Sequence, residues 1–508
     1  MEKAKGLCRR DFLKGVAAAA MTAGMIGPSE AANFVKHSKC HQMPPILPHT
    51  LQPHPEIRAF KGTERYWAKV RQTFVLPHNY IHFNTGTTGS QPLFSLINLG
   101  VYNLYKSMDP KDWQKNLNED FPDLFPFVNS SALTARQKAV ADQYGASQEE
   151  IVLSYNTTDA CNLIFAGTPW KPGDRIITTH WEHPALAGPI AWARDYRGVE
   201  VKIVGLPSNF TASTTVADVQ ELFETELRQG LGAGNKQYVA FSEIFYKNGV
   251  RMPVQEICQL ARSYGAYSII DTAHGWGMLP IDCHAYGADF IAGAGHKWLC
   301  GGPGTGILYV RNSGTDLPPF AQGNFYSYGN LFTIPSLRYD NRDWSPASAM
   351  QGRGETNTPA LYAMTDSAAY FNYLGVEDIY NRGVALGNYL KAKIEATWGA
   401  NALWVQRNPN PVFATALTAF NPFVGKDDTS QYSDLRTAMN NVVSTLAGED
   451  PKIYIRTVTW RDQPTDSADN RIGFRVSSHG VYNNFQEIDY LFYRLRLAVN
   501  ATGLPQLG

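Results

Sequence analysis

The chain has 508 residues, of which 44% are hydrophobic and 18% are charged, and its 45 basic residues balance its 45 acidic residues. This composition is too apolar for a disordered chain, and the balanced charge provides no electrostatic attraction for nucleic acid. The length predicts more than one domain and a large buried core.

The first 31 residues have the pattern of an export signal. The pair Arg9-Arg10 precedes an apolar stretch over residues 16–26, and small residues surround Ala31. A basic start, a short apolar core and a small-residue cleavage site indicate a signal peptide over residues 1–31. The arginine pair resembles a twin-arginine signal, which implies export of the folded protein to the periplasm.

An uncleaved anchor or a basic tail is the alternative interpretation of this segment. The apolar stretch is too short to span a bilayer, and no other run in the chain is long enough. We therefore expect no membrane association after the signal is removed.

Residues 32–75 form a proline- and histidine-rich extension. Its histidines and Cys40 match no closed zinc pattern, so the pattern favours a strap over the domain rather than a metal site. Cleavage after Ala31 removes Cys8 from the six cysteines of the chain and leaves an odd number, whose spacings predict no disulfide framework. We expect most of these cysteines to be buried thiols.

Residues 76–365 predict a large domain in which short apolar strands alternate with helical stretches. This alternation is typical of an α/β fold, with a mostly parallel sheet that is covered by helices on both faces. Ligands of such sheets bind at the carboxyl ends of the strands. The predicted strands are 150–154, 175–179, 200–204, 237–241, 267–271, 290–292 and 306–310.

Residues 366–508 predict a smaller α+β domain. No glycine-rich linker separates it from the large domain, so we expect the two domains to pack closely. The predicted elements are the helical regions 365–398, 434–446 and 485–499 and the strands 412–420, 453–459 and 472–476.

The most informative segment runs from residue 268 to residue 310. Asp271 ends one predicted strand, His274 follows it, and Lys297 lies in the turn after the next strand. A lysine at such a position can form a Schiff base, and a carboxylate can pair with a pyridinium nitrogen. Taken singly, these residues are ordinary surface or turn residues; together they predict a site for pyridoxal phosphate (PLP).

These motifs resemble those of the class V aminotransferase family of fold-type I PLP enzymes, over about residues 78–500. The branch with the greatest resemblance contains isopenicillin N epimerase-like and periplasmic pyoverdine-maturation proteins and is related to the cysteine desulfurases. The resemblance implies that Lys297 binds PLP covalently and that Asp271 pairs with the pyridine nitrogen. His274 stands where desulfurases have a glutamine, so we expect it to donate a hydrogen bond to the phenolic oxygen of PLP.

The segment WEHPALAG resembles the strand, turn and helix from which the family places a histidine on the cofactor. The resemblance therefore implies that His183 stacks on the PLP ring and belongs, with Lys297 and Asp271, to the catalytic set. The alternative for a single histidine is a hydrogen-bonded core residue.

The segment SYNTTDACN resembles the family's phosphate-binding turn. Asn156, Thr157 and Thr158 precede a predicted helix, whose first N–H groups favour a phosphate, and His296 is expected to assist. A helix cap without a ligand is the alternative. The family often has a serine where Ala294 stands here, so one phosphate contact is missing or supplied elsewhere.

Residues 352–359 resemble the segment that reaches the phosphate of the partner subunit, which implies a homodimer with shared sites. Family members commonly have threonine where Glu355 stands, and a carboxylate repels phosphate. We therefore expect Thr356, or else Asn357 or Arg353, to make this contact.

The resemblance also assigns the substrate contacts. Arg475, in the segment FRVSSHGVYNN, is expected to bind the substrate α-carboxylate, because its planar fork suits bidentate contact. Asn84 and Thr87 belong to a loop that borders the substrate pocket. Ser242 and Glu243, at the end of another strand, are weaker candidates.

The positions of the cysteines limit the reaction. Desulfurases have a nucleophilic cysteine on a loop in the C-terminal part of the chain, and this chain has no cysteine after Cys300. We therefore expect aminotransferase-type chemistry on an amino acid or a peptide-linked amino acid. Epimerase or carbon–sulfur lyase chemistry is the alternative within the family, and a non-catalytic ligand-binding protein is the alternative of another class.

Overall fold

The computed structural model describes residues 62–120, 133–208, 210–312, 346–352 and 354–508. The predicted signal peptide, most of the predicted extension with Cys40, and Arg353 lie outside these residues. The helices are α1 (Glu64–Arg71), α2 (Leu93–Met108), α3 (Trp113–Asp120), α4 (Leu133–Gln143), α5 (Thr157–Gly167), α6 (Pro184–Arg197), α7 (Val216–Leu227), α8 (Val254–Ser263), α9 (Cys283–Tyr286), α10 (Pro346–Gln351), α11 (Thr358–Leu374), α12 (Val376–Trp398), α13 (Tyr432–Ala447) and α14 (Phe485–Asn500).

A seven-stranded sheet forms the centre of the large unit, with the strand order β2-β8-β7-β6-β5-β3-β4. The strands β4, β3, β5, β6 and β7 run parallel, while β8 runs antiparallel to both β7 and β2. The predicted α/β fold with a mostly parallel sheet is confirmed. The strands are β2 (Ile151–Ser154), β3 (Arg175–Thr179), β4 (Glu200–Val204), β5 (Gln237–Ser242), β6 (Tyr267–Asp271), β7 (Phe290–Ala294) and β8 (Gly306–Val310).

Helices cover both faces of this sheet, which explains why its central strands are apolar without alternation. Successive residues of a strand point to opposite faces. Ile269 packs in the core beside α5 and α6, while its neighbour Ile270 packs in the core beside α7 and α8. Parallel strands between two helical layers place their carboxyl ends at one edge, where the chain enters the turns that hold Asp271 and Lys297.

The smaller unit has a three-stranded antiparallel sheet in the order β11-β12-β9, covered by α12, α13 and α14. Its strands are β9 (Leu417–Phe420), β11 (Arg456–Trp460) and β12 (Arg471–Ser477). Its hydrophobic core contains Phe474 and Val476 of β12 together with Leu390 of α12 and Leu491 of α14.

A separate pair of parallel strands, β1 (Tyr80–His82) and β10 (Lys452–Tyr454), joins the N-terminal region to the smaller unit. The continuous strand predicted over residues 453–459 is therefore wrong. The chain pairs with β1 as far as Tyr454 and then, after the buried Ile455, pairs with β12. Alternation of apolar residues gives no information on the pairing partner, so the change of partner has no signal in the sequence.

The helical region predicted over residues 365–398 consists of two helices. It begins earlier, at Thr358, and α11 and α12 are separated by Gly375, whose φ is +97°. A positive φ of this kind favours glycine and ends a helix. Among the described residues, no helix is both long and apolar enough to cross a membrane.

Candidate active site

Asp271 and Lys297 come from neighbouring parallel strands. Asp271 ends β6 opposite Ala292 of β7, and Lys297 lies in the turn after β7. The Oδ1 atom of Asp271 accepts a hydrogen bond from the Ala273 N–H at 2.8 Å, whereas the buried Oδ2 atom has no partner among the described residues. Asp271 therefore has one carboxylate oxygen available for a ligand.

Burial moves the pKa values of these two groups toward each other. It raises the pKa of Asp271 to about 6, while the positive charge of Lys297 acts in the opposite direction. Burial also lowers the pKa of Lys297 to about 8, and Asp271 opposes this shift. At neutral pH the amine is therefore far easier to deprotonate than an ordinary lysine.

Close backbone contacts define the turn that holds Lys297. The Gly295 N–H donates to the Thr305 carbonyl at 2.9 Å, and the Gly301 N–H donates to the Gly295 carbonyl at 2.8 Å. A Cβ atom on Gly295 would lie 2.3 Å from the Met364 sulfur, so a larger residue here would displace the Met364 side chain. The loop before α2 is fixed to the same turn, since the Gly89 N–H donates to the His296 carbonyl at 2.8 Å.

His274 is almost completely buried and has one defined tautomer. The Trp298 indole N–H donates to its Nδ1 atom at 3.0 Å. Burial, with the charge of Lys297, holds the pKa of His274 well below its usual value, so the ring is neutral. Because Trp can only donate, Nδ1 accepts and the proton lies on Nε2. This N–H donor has no partner among the described residues, as the predicted bond to the cofactor oxygen requires.

His183 caps the N-terminus of α6. Its Nδ1 atom accepts from the Ala185 N–H at 3.1 Å, and its ring meets the Tyr246 ring edge-on, with centroids 4.7 Å apart. Burial lowers the pKa of His183 to about 4, with further lowering by Lys297 and Lys247. The ring is therefore neutral and close to the lysine, while its stacking on a cofactor stays a prediction.

The predicted phosphate-binding turn is the start of α5. Asn156 caps this helix through its Oδ1 atom, which accepts from the Asp159 N–H at 2.9 Å. Thr157 is buried, and its hydroxyl has no partner among the described residues, whereas Thr158 is exposed. A Cβ atom on Gly306 would lie 2.8 Å from the Gly293 carbonyl and 2.9 Å from the Asn156 Cα, so this helix start adjoins the strand that leads to Lys297.

His296 is less well suited to a phosphate than the sequence predicts. Its Nδ1 atom lies 3.3 Å from the Thr305 carbonyl, which can only accept a hydrogen bond. Burial lowers the pKa of His296, so the neutral ring presents an acceptor at Nε2. Assistance to a phosphate would therefore need the protonated ring.

Arg475 lies on β12 and is buried. Its Nη1 atom donates to the Tyr246 carbonyl at 2.6 Å, and its Nη2 atom donates to Asn84 Oδ1 at 2.9 Å and to Thr87 Oγ1 at 3.0 Å. The Thr87 hydroxyl in turn donates to Asn84 Oδ1 at 3.0 Å. Burial, with repulsion from Arg456, lowers the pKa of Arg475 to about 9, which still leaves it charged at neutral pH.

The structure brings Arg475, Asn84 and Thr87 together, but it places Thr356 elsewhere in this chain. The Thr356 carbonyl accepts from the Lys106 amine at 3.3 Å, and its hydroxyl lies 3.4 Å from the Thr358 hydroxyl. Glu355 forms an ion pair with Lys106. The predicted contact of Thr356 with a partner's phosphate stays a prediction.

Sequence reasoning missed Glu182, a buried carboxyl group near Asp271. Its two oxygens accept hydrogen bonds from the hydroxyls of Thr179 and Ser242, each at 2.6 Å. Burial, together with repulsion from Asp271, raises the pKa of Glu182 to about 8. The Glu-His pair after β3 was the signal in the sequence that could have identified Glu182.

Glu243, a weaker candidate from the sequence, accepts hydrogen bonds from the hydroxyls of Thr272 and Tyr286.

The four cysteines of the described residues are buried thiols, as expected. The Sγ atom of Cys300, in the lysine turn, lies 3.7 Å from His479 Nε2. Burial raises the pKa of this thiol well above its usual value. Cys300 therefore stays protonated and is a poor nucleophile.

These residues fit PLP. The Asp271 carboxylate suits the pyridine nitrogen, the His274 N–H suits the phenolic oxygen, and the Thr157 hydroxyl at a helix start suits the phosphate. Each of these three side chains has a buried polar atom without a partner among the described residues. The Lys297 amine, with its lowered pKa, suits covalent attachment.

Known proteins share this organisation. A probable cysteine desulfurase of Mycolicibacterium paratuberculosis is 28% identical over 376 residues, which cover 72% of this chain and 49% of that protein. Isopenicillin N epimerase of Streptomyces clavuligerus is 25% identical over 248 residues, which cover 48% of this chain and 56% of that enzyme. The match thus spans about half the length of each of these relatives.

Solved structures share the fold. The cysteine desulfurase of Thermococcus onnurineus NA1 superimposes with a TM-score of 0.62 at 20% identity, over 85% of this chain and 98% of that one. A cystine C–S lyase, solved with its product cysteine persulfide, superimposes with a TM-score of 0.61 at 19% identity, over 84% of this chain and 98% of that one.

The profile of the class-V aminotransferases matches residues 128–438, which is more than half of the chain. The chain therefore belongs to the class-V aminotransferase family of fold-type I enzymes, and PLP is its cofactor.

Proposed function

We propose that this chain is an exported enzyme that acts on the amino group or the α-carbon of an amino acid or a peptide-linked amino acid, with aminotransferase-type chemistry. The observation that carries the proposal is the proximity of three groups, since the charges of Asp271 and Arg475 both act on the Lys297 amine. These groups are the Lys297 amine, the unpartnered Oδ2 atom of Asp271 and the Arg475 guanidinium.

PLP supplies an electron sink for the charge that develops when a bond to the α-carbon breaks. Asp271, through its unpartnered Oδ2 atom, would hold the pyridine nitrogen and favour its protonated form. With a pKa of about 6, Asp271 is ionised at neutral pH, and a cationic partner favours the ionised form further.

Lys297 has two tasks in this proposal. Its amine, with a pKa of about 8, is partly unprotonated at neutral pH and can attack a carbonyl carbon. The same amine, in its unprotonated form, would accept a proton from the substrate α-carbon and, once protonated, would return one.

The other side chains position the reacting groups. His274 donates from Nε2, in the tautomer that Trp298 fixes. The neutral His183 ring would pack against the bound cofactor. Arg475 binds the α-carboxylate, and Asn84 and Thr87 hold its guanidinium in place.

Epimerase or carbon–sulfur lyase chemistry is the second candidate. It is favoured by the similarity to isopenicillin N epimerase and by the absence of any cysteine after Cys300. A desulfurase needs a nucleophilic thiol, whereas an epimerase or an elimination enzyme does not. The same residues serve both reactions, because each begins with loss of a group from the α-carbon.

We also propose that the protein acts in the periplasm as a homodimer, in which Thr356 reaches the partner's phosphate. The support for export is the twin-arginine pattern. Cell fractionation tests export: the protein should be periplasmic, and replacement of Arg9-Arg10 by two lysines should retain it in the cytoplasm.

Light scattering tests the homodimer. It should give twice the mass of one chain, and a monomer would contradict the shared site.

The function is tested on the purified protein with bound PLP, incubated with L-amino acids and amine-bearing peptides. Aminotransferase-type chemistry predicts that pyridoxamine phosphate accumulates, identified by mass spectrometry. Exchange of the α-proton in heavy water without pyridoxamine phosphate would establish the epimerase alternative, and release of a keto acid with sulfide would establish the lyase. No spectral change with any amine would favour the non-catalytic binding protein.

A further inference from the structure

Two arginines face each other across the small sheet. In the antiparallel pairing of β11 with β12, Arg456 lies directly opposite Arg475. Directly opposite residues project from the same face of a sheet, and like charges at such positions are destabilising. The register of β11 with β12 thus places two like charges side by side, and a bound anion would reduce their repulsion.

Both guanidinium groups meet at one hydroxyl oxygen. Arg475 Nη2 donates to Thr87 Oγ1 at 3.0 Å, and Arg456 Nη1 donates to the same atom at 3.1 Å. The two arginines differ in depth, because Arg475 is buried whereas Arg456 and Thr87 are exposed at the surface. They therefore present two cationic positions at different depths, rather than one deep pocket.

No carboxylate of the described residues forms an ion pair with either arginine, although a neighbour on the same strand has one. Arg471 of β12 lies 2.9 Å from Asp462 Oδ2. The side chain of Lys247, also near the site, lies 3.7 Å from Asp469 Oδ1. Within the part of the chain that the structure describes, the positive charge of the Arg456–Arg475 pair thus has no carboxylate partner.

We propose that the substrate is a dicarboxylate: an amino acid or peptide-linked amino acid whose α-carboxylate binds Arg475 and whose second carboxylate binds Arg456 at the crevice mouth. This inference rests on the proposed function, which provides the α-carboxylate site. Arg456 is then a specificity-determining residue that selects acidic over neutral side chains, because a guanidinium forms strong charge-assisted hydrogen bonds with a carboxylate.

The test uses two unreactive ligands of equal chain length, glutarate and valerate, which differ by one carboxylate. Titration calorimetry on the PLP-bound protein should show glutarate binding about 10- to 100-fold more tightly, since a hydrogen bond to a charged group contributes on that scale. Arg456→Met should remove this preference and leave valerate binding unchanged. Arg456→Lys should retain part of it, and the exposed Arg496→Met is a matched control that should behave as wild type.

A second readout is independent of any ligand's chemistry. Because Arg456 repels Arg475, Arg456→Met should raise the melting temperature of the ligand-free protein, whereas Arg496→Met should not. Glutarate should then stabilise the wild type more than the Arg456→Met variant.

Equal affinity of the wild type for glutarate and valerate would overturn the inference. It would also fail if Arg456→Met weakened valerate and glutarate to the same extent, since both arginines would then bind one carboxylate. The failure of the proposed function is separate: it would appear as absence of a spectral response of bound PLP to every amine, before any dicarboxylate is added.

Discussion

Two regions of the molecule each bury an arginine, and among the described residues one of these arginines has a carboxylate partner whereas the other has none. Arg136 and Arg475 have relative exposures of 0% and 1%. Arg136 forms an ion pair with Asp366 and also donates to Thr365 Oγ1 and Tyr102 Oη, both at 3.2 Å. Among the residues that the structure describes, Arg475 donates to neutral oxygens alone, on Tyr246, Asn84 and Thr87.

The pKa values follow this difference. Burial lowers the pKa of both arginines, but around Arg136 the neighbouring Tyr102 and Asp366 outweigh burial and raise it. Around Arg475 burial dominates, and the pKa falls to about 9. Removal of the counter-ion of a buried charge destabilises the fold, whereas a buried charge without a carboxylate partner among the described residues is available to bind an anionic ligand.

The largest expected effect comes from breaking the neutralised pair. Asp366→Asn leaves Arg136 buried without a counter-ion and should lower the free energy of unfolding by about 3–5 kcal/mol. Urea denaturation measures this change. Asp142→Asn, which breaks an exposed ion pair with Lys138, should change stability by less than about 1 kcal/mol. Equal losses of stability in the two variants would show that the buried Arg136–Asp366 pair is no more important for folding than the exposed pair.

A pH titration extends the comparison to Asp271, a buried site carboxyl group whose Oδ2 atom has no partner among the described residues. Its pKa is raised in the folded state to about 6, so between pH 4 and pH 6 the folded state binds more protons than the unfolded state. Stability must then fall as pH rises through this window, by about 3 kcal/mol, relative to Asp271→Asn. Denaturation of both PLP-free proteins across this range measures the difference, and parallel stability curves would contradict it.

Removal of the uncompensated arginine should affect binding rather than folding. Arg475→Met should raise the KM for an amino substrate by about 10- to 100-fold, since it removes charge-assisted hydrogen bonds worth about 1.5–3 kcal/mol. The free energy of unfolding should fall less than in Asp366→Asn, because the loss of three hydrogen bonds is offset by relief of the repulsion from Arg456. A loss of stability as large as that of Asp366→Asn would show that Arg475 belongs to the scaffold.

The smallest effect concerns the positioning of His274. Trp298→Phe removes the hydrogen-bond donor to His274 Nδ1 and should lower the free energy of unfolding by about 1 kcal/mol. Nitrogen NMR of the imidazole should show the proton on Nε2 in the wild type and a mixture of tautomers in the variant. Trp276→Phe removes another buried indole donor, which bonds to the Ile307 carbonyl, and should leave the His274 tautomer unchanged.

Much of this site is predictable from the sequence, because its chemistry lies at strand ends. The apolar runs that end at Asp271 and before Lys297 indicate neighbouring parallel strands, and such strands bring their carboxyl ends to one edge. The neutral state of His274 and the unpartnered atoms of Asp271 and Thr157 have no signal in the sequence, because they depend on burial by distant segments.

Strand pairing is a second feature of the fold that the sequence does not predict. Arg456 gains its place opposite Arg475 from the register of β11 with β12, and β11 itself begins only where the chain leaves β1. Neither the strand break at Ile455 nor the register can be deduced from alternation of apolar residues. Glu182 was adjacent to a recognised motif, but its buried contacts with Thr179 and Ser242 required the fold.

The proposed function depends most on covalent attachment of PLP to Lys297. Its most direct test is reduction of the PLP-bound protein with borohydride, followed by proteolysis and mass spectrometry of the peptides. A phosphopyridoxyl group should appear on Lys297 and should be absent from the Lys297→Ala variant. A phosphopyridoxyl group on another lysine, or on none, would contradict this prediction.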